Sequence, residues 1–232
     1  MLVSWILAMT RKESRSKSVI AARRLCRHYP RRMKPISSFL CAISLFTAVA
    51  FSPCASMADE AQAGKWESLF NGKDLSGWVP VHDVTFVVTN ENLRLVTGMG
   101  WLRTEKQYTN FVFEAEWRAL VPQYDSGLFI RVGLEGKPWP KDGWQVNLQG
   151  AALGALVKGY KTIVPAETPP MPVNKWVKVR IEVRGKKVTL DVDGERAWEY
   201  NDLDAAYGYL GIQAENKAFD FRNLRVQPLP SE

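Results

Sequence analysis

The chain has 232 residues, a formal net charge of +7 and 46% hydrophobic residues. The charge is unevenly placed: ten of the 31 Lys and Arg and one of the 24 Asp and Glu (Glu13) fall in 1–58, leaving 21 bases against 23 acids, a net −2, in 59–232. A nucleic-acid footprint belongs on the folded domain, so no nucleic-acid partner is expected.

Residues 1–58 read as an export leader. Arg31, Arg32 and Lys34 surround Met33, and the apolar run FLCAISLFTAVAF (39–51) follows. Thirteen residues fall short of the roughly 20 that a spanning helix needs, so no stable membrane span is expected. The small residues of ASMA (55–58) place signal-peptide cleavage after Ala58. Met33 is an alternative start, because 1–32 is rich in Arg and Ser and lacks structural periodicity. The expected location is periplasmic or extracellular. Cys26, Cys41 and Cys54 all lie in the leader, so 59–232 has neither a disulfide framework nor a Cys-ligated metal. A lipid anchor on Cys54 is disfavoured by the Phe and Pro of FSPC. Residues 59–232 are long enough to bury roughly 70% of their unfolded surface as a single domain.

After the leader, alternation dominates. WESLF (66–70), TFVV (85–88) and NLRLVTG (92–98) are the first short strand candidates. FVFEAEWRA (111–119) sets Phe111, Phe113, Ala115 and Trp117 against Glu114, Glu116 and Arg118. GLFIRV (127–132) sets Leu128, Ile130 and Val132 against Phe129 and Arg131. In DGWQVNLQG (142–150), Trp144, Val146 and Leu148 oppose three side-chain amides, Gln145, Asn147 and Gln149. KWVKVRIEVRG (175–185) alternates Val and Ile with charged residues, and KVTLDVDGERAWEY (187–200) reads as two strands around an Asp-Gly turn. YLGIQAE (209–215) turns Leu210, Ile212 and Ala214 inward. In FDFRNLRV (219–226) the apolar phase switches between Phe221 and Leu224, which predicts a bulge near Asn223. No ten-residue stretch has a helical period. About ten to twelve short strands broken by Gly and Pro turns predict an all-β, antiparallel two-sheet sandwich of the jelly-roll type.

Several of these stretches, in order, resemble the 3-keto-disaccharide hydrolase family: WESLFNGKDLSGW (66–78), WLRTEKQYTNFVFEAEWR (101–118), DSGLFIRV (125–132), GALVKG (154–159), VNKWVKVRIEVRGKKVTLDVDGERAWEY (173–200) and FRNLRV (221–226). The resemblance covers nearly all of 65–228. It implies a concanavalin A-like jelly roll, and an enzyme that cleaves glycosidic bonds of 3-keto-glycosides. The C3 ketone acidifies the C2 proton, a base removes it, the C1 substituent leaves and water adds. Many relatives carry Tyr-Glu-Val-Gln where this chain has Trp144-Gln145-Val146-Asn147, so an amide stands here in place of a carboxylate.

That chemistry needs a base and a donor or cation near the C3 oxygen. Arg131 and Arg103 are the expected stabilisers, since a guanidinium stays charged and offers several donors. Glu105, Glu116, Lys158 and Tyr160 are the candidate bases; VKGYK follows the amide strand, which could bring Lys158 and Tyr160 over the same face. Trp139, between two prolines, is a candidate sugar platform. Gln145, Asn147 and Gln149 fit one wall of a carbohydrate groove, because sugar hydroxyls donate and accept together as amides do. His82, expected in a loop after Trp78, is the one histidine past the leader, so a zinc-histidine cluster or a Ser-His-Asp triad has little to build on. A carboxylate-held Ca²⁺ or Mn²⁺ stays open, since oxygen ligands need no fixed spacing. Two further readings also stay open: a non-catalytic carbohydrate-binding module, and a scaffold without a small ligand.

Overall fold

The computed structural model of the protein describes residues 64–230; the leader, its cleavage point, Met33 and the three cysteines lie outside the described residues. In chain order the strands are β1 (Glu67–Ser68), β2 (Trp78–Thr89), β3 (Asn92–Tyr108), β4 (Phe111–Ala119), β5 (Gly127–Val132), β6 (Trp144–Asn147), β7 (Leu156–Lys158), β8 (Lys161–Val164), β9 (Val177–Arg184), β10 (Lys187–Val192), β11 (Glu195–Tyr200), β12 (Gly208–Glu215) and β13 (Phe219–Pro228). One 3-10 turn, Gly150–Ala152, is the only helical element among the described residues. Every pairing is antiparallel, in the order β11-β10-β9-β4-β13-β3-β12-β5-β6-β7-β8.

β3 makes this path a sandwich. Its first residues, Leu93–Leu95, pair with Phe219–Phe221 of β13, while Met99–Tyr108 pair with β12. One strand therefore serves two sheets, one around β4, β9 and β13, the other around β12, β5 and β6. The crossing point is Gly98, with φ +119; a Cβ there would sit 2.2 Å from the Asp83 carbonyl oxygen, so only glycine lets β2 follow the bend. β2 pairs with β3 along its whole length, and the register places His82 inside that strand opposite Gly100, not in a loop as the sequence suggested.

The inner faces carry the predicted apolar sets. Phe111, Phe113 and Trp117 of β4 and Phe219 and Phe221 of β13 meet Leu128, Ile130, Val146, Leu210 and Ile212 of the second sheet in one buried cluster. The Phe219 and Phe221 rings stack at 5.8 Å. The Asp193-Gly194 hairpin forms between β10 and β11. The ladder slips between Arg222 and Arg225, where the phase switch predicted a bulge, and Asn223 there has φ 50.

The outer face of the first sheet is a lattice of ion pairs. Asp220, with no exposed side-chain surface, bonds Arg94 at 2.7 Å and Arg118 at 2.8 Å. Glu114 bonds Arg225 at 2.6 Å and Lys178 at 3.2 Å. Glu116 bonds Arg222 at 2.7 Å, so it lies on the sheet that does not carry the amides.

Candidate functional site

The outer face of the second sheet is assembled by register. Phe129 of β5 lies between Gln145 of β6 and Gly211 of β12, and Gly127 lies opposite Asn147. Across β12, Gln213 faces Trp101 and Glu215 faces Met99 of β3. Since Leu128, Val146, Ile212 and Leu102 pack into the core, these alternate positions share the opposite face.

On that face, amides and carboxylates form two hydrogen-bonded groups. Gln145 Nε2 donates to Gln213 Oε1. Gln213 Nε2 donates to Glu215 Oε2 at 2.9 Å. Asp125, just ahead of β5, accepts from Gln149 Nε2 at 2.7 Å. Asn147 Oδ1 accepts the Gln149 backbone N–H at 3.0 Å, which orders the turn after β6.

The electrostatics make this cluster unusual. Burial, and then the charge of Asp125, push the Glu215 carboxyl up to about 7. Asp125 is also raised above its ordinary value, chiefly by burial, against the opposing effects of Gln149 and Lys217. A carboxyl that titrates near neutrality is suited to exchanging protons.

One side of the cluster is walled by aromatic rings. Trp101 and Phe129 meet edge to face at 5.6 Å and, with Val132, form a small buried group against which Val81, Trp139 and Tyr209 pack. Trp139 Nε1 donates to the Ala214 carbonyl at 3.1 Å, one residue before Glu215. Tyr160, 67% exposed, packs on Trp139 with centroids 6.0 Å apart. His82 Nε2 lies 3.1 Å from the Gly136 carbonyl oxygen of the same loop.

The structure thus brings together Gln145, Asn147, Gln149, Trp139 and Tyr160, but not the other expected residues. Arg131 is 3% exposed and turned to the end of the sandwich. Its guanidinium donates to the carbonyls of Thr109, Gly185 at 2.6 Å and Ala205 at 2.9 Å, and to Asn110 Oδ1 at 2.9 Å. Four bonds to three turns make it a structural plug, and burial lowers it to about 10. The cause is local: Arg131 has φ 49, and the β5–β12 ladder slips between Tyr209 and Gly211, so strict alternation fails there.

Lys158 pairs with Trp144 across β6 and β7, which puts it on the face opposite Gln145. There it lies 5.2 Å over the Trp144 ring and forms an ion pair with Asp204. Glu105 is exposed late in β3, its backbone N–H donating to the Gly77 carbonyl, with no link to the cluster. Arg103 shares the amide face, with its guanidinium 4.5 Å over Tyr209. Its partner on β12 is Gly211, four residues from Glu215, a spacing of roughly 13 Å that exceeds one sugar ring.

Glu215, Gln213 and Asp125 are the residues that sequence reasoning missed. Part of the signal was present: with Leu210, Ile212 and Ala214 inward, Gln213 and Glu215 had to face outward. Among the described residues no three or more His, Cys, Asp and Glu side chains gather as a metal-binding group. A cavity of about 520 Å³ lies on the other sheet, lined by residues including Trp66, Glu114, Lys178 and Arg225, away from this chemistry.

Solved structures with the same fold include a glycosyl hydrolase, so described without proof of activity, from Parabacteroides distasonis (20% identity, 75% of this chain and 98% of that one, TM-score 0.59). A carbohydrate binding module from Bacillus subtilis is similar at 18% identity over 64% of this chain and 93% of its own, TM-score 0.53. A Bacillus subtilis protein of unknown function with a galectin-like fold matches at 10% identity over 73% of this chain and 97% of its own, TM-score 0.59. Comparison with curated proteins finds no match. The model of the 3-keto-alpha-glucoside-1,2-lyase-like domain matches residues 65–227. A match over that much of the chain, on a two-sheet sandwich of the concanavalin and galectin type, settles the family: the protein belongs to the 3-keto-alpha-glucoside-1,2-lyase-like domains, a carbohydrate-directed family.

Proposed function

We propose that the protein cleaves the glycosidic bond of 3-keto-glycosides by C2 deprotonation, elimination and hydration, with Glu215 as the base. The observation that carries this is the Glu215 carboxyl, raised to about 7 beside Asp125 on a face lined by glutamine amides. The ionised Glu215 takes the C2 proton. The electron pair of that C–H bond moves into an enolate whose charge rests on the C3 oxygen. As the ketone re-forms, the C1=C2 double bond closes and the C1–O bond breaks, with the pair leaving on the aglycone oxygen. The proton held by Glu215 is then available to that oxygen. Water adds across C1=C2, hydroxyl to C1 and proton to C2, so the net change is hydrolysis.

Each part of the cluster has a task in this scheme. Burial raises Glu215 so that it is basic enough to compete for a carbon-bound proton yet still ionised near neutrality. Lys217, whose charge acts on Asp125 from the β12–β13 turn, would favour the enolate. The outward oxygens of Gln145 and Gln149 accept from sugar hydroxyls. Trp139 and Tyr160 offer ring faces to the substrate. The leader read from the sequence would deliver this activity to the periplasm or the cell exterior.

The deciding experiment offers residues 59–232 a 3-keto-glucoside and the matching unoxidised glucoside. Aglycone release is expected from the first and not the second, because only the ketone stabilises the enolate. Equal turnover of both would reject elimination. The amide ladder also suits a non-catalytic carbohydrate-binding module, and saturable binding of the keto-sugar without turnover would select that reading.

A further inference from the structure

The amide chain has a direction, and the carboxylate sets it. An ionised carboxylate only accepts, so Gln213 must turn Nε2 toward Glu215, as it does at 2.9 Å. Gln213 Oε1 is then left facing Gln145, whose Nε2 donates to it. Gln145 can reach that position because of Gly127 on the neighbouring strand. A Cβ at Gly127 would come within 1.6 Å of Gln145 Nε2 and 2.4 Å of its Cδ. The Gln145 amide therefore lies in space that any side chain at 127 would fill. Gly127 is required for room and not for an unusual backbone angle, since its φ is not in the left-handed region.

We propose that Gln145 is a positioning residue for Glu215: lodged in the notch at Gly127, it holds the Gln213 amide with its N–H on the Glu215 carboxylate. Without Gln145, Gln213 is free to turn its carbonyl oxygen toward Glu215, which favours the protonated acid over the carboxylate. The effect on catalysis rests on the reading of Glu215 as the base, but the effect on Glu215 itself does not. The charged groups around Glu215 are Asp125 ahead of β5, Lys217 in the β12–β13 turn, and Asp83 on β2, two strands away through Met99. None of them is altered by substitution at 145 or 127, and of the variants below only Gln145→Glu adds a charge of its own.

The test is the carbon-13 NMR titration of the Glu215 carboxyl, without substrate, in the wild type and in Gln145→Glu, Gln145→Ala and Gly127→Ala. Gln145→Glu is nearly isosteric and turns a donor into a second acceptor; Gln213 must give its N–H to the new carboxylate, and the Glu215 midpoint climbs by about one pH unit or more. Gln145→Ala and Gly127→Ala, which remove or displace the same amide, both raise it by about half a pH unit. If Gln145→Ala, which adds no charge, leaves the midpoint within about 0.2 pH unit of the wild type, the proposal fails. It also fails if Gly127→Ala, folded, shifts the midpoint opposite to Gln145→Ala. A wild type that titrates as described but turns over no keto-sugar would sink the base assignment while leaving the positioning intact. Where turnover is present, the acid limb of the kcat/KM profile of Gln145→Ala moves up in pH with the Glu215 midpoint, a change that a merely structural glutamine would not cause.

Discussion

Replacing Asp125 with asparagine separates the two causes that raise Glu215. Burial is the larger and survives the change; the Asp125 charge is the smaller and is lost. The substitution is also gentle, because the new amide oxygen can still accept from Gln149 Nε2. Glu215 falls from about 7 but stays above its ordinary 4.5. The smaller of two contributions to that rise is at most about one pH unit. At pH 6, about a tenth of Glu215 is ionised with a midpoint near 7, and about half with a midpoint near 6, so proton abstraction speeds up by as much as about fivefold. At pH 9 both proteins are fully ionised, and the variant, now a weaker base, is modestly slower. The two profiles therefore cross. Initial rates of aglycone release from a 3-keto-glucoside, measured from about pH 5 to pH 9, read both limbs. An acid limb that stays put, or moves to higher pH, refutes the assignment of Glu215 as a base coupled to Asp125.

Other substitutions test the remaining roles. Glu215→Gln abolishes turnover and stabilises the fold at pH 8 but not at pH 4: a carboxyl raised from 4.5 to about 7 penalises the folded state as pH rises through that window. Discounted for solvent screening, the penalty is about 1 kcal/mol, seen as a melting shift of about 2–4 °C. Arg131→Ala acts on stability and not on kcat in the folded protein; it takes the guanidinium donors from three carbonyls and leaves Asn110 Oδ1 with the Gly185 N–H alone, a loss of about 3 kcal/mol or more in urea unfolding. Asp220→Ala leaves Arg94 and Arg118 without their shared buried carboxylate and costs about 3 kcal/mol. Burial opposes ionisation of Asp220, but Arg94 and Arg118 hold it below 3.8, so its stabilisation is complete at neutral pH and fades in acid unfolding as pH falls below that value. N-terminal sequencing of exported protein is expected to begin at Asp59.

The fold was legible because alternation is local. FVFEAEWRA shows which side chains turn inward without reference to any other strand, and Phe111, Phe113 and Trp117 are indeed in the core. The double service of β3 was not legible. NLRLVTG ends at Gly98, and nothing in that stretch says that the strand continues to Tyr108 in a second sheet. The amide face was likewise visible within one strand, since Gln145 and Asn147 must share the side opposite Trp144 and Val146. What alternation could not supply was phase across breaks. It put Arg131 on the amide face, but a positive φ and a ladder slip turn that side chain to the end of the sandwich. It extended the amide face through VKGYK, but β7 pairs Lys158 with Trp144 and so places it on the other side.

The proposed base was hidden for a different reason. Glu215 is an ordinary exposed-phase carboxylate in YLGIQAE, and its character comes from surroundings that lie far away in sequence. Asp125 is 90 positions earlier, Trp139 reaches the carbonyl next to it from a loop, and Gln145 acts on it only through Gln213. None of these residues is unusual alone. A carboxyl becomes a candidate base when burial and a second carboxylate make its ionised form costly while one amide N–H keeps that form accessible. Such a balance belongs to the packed sheet. The contiguous amide strand pointed to the face that carries Glu215, and that carboxylate comes from the strand two places away.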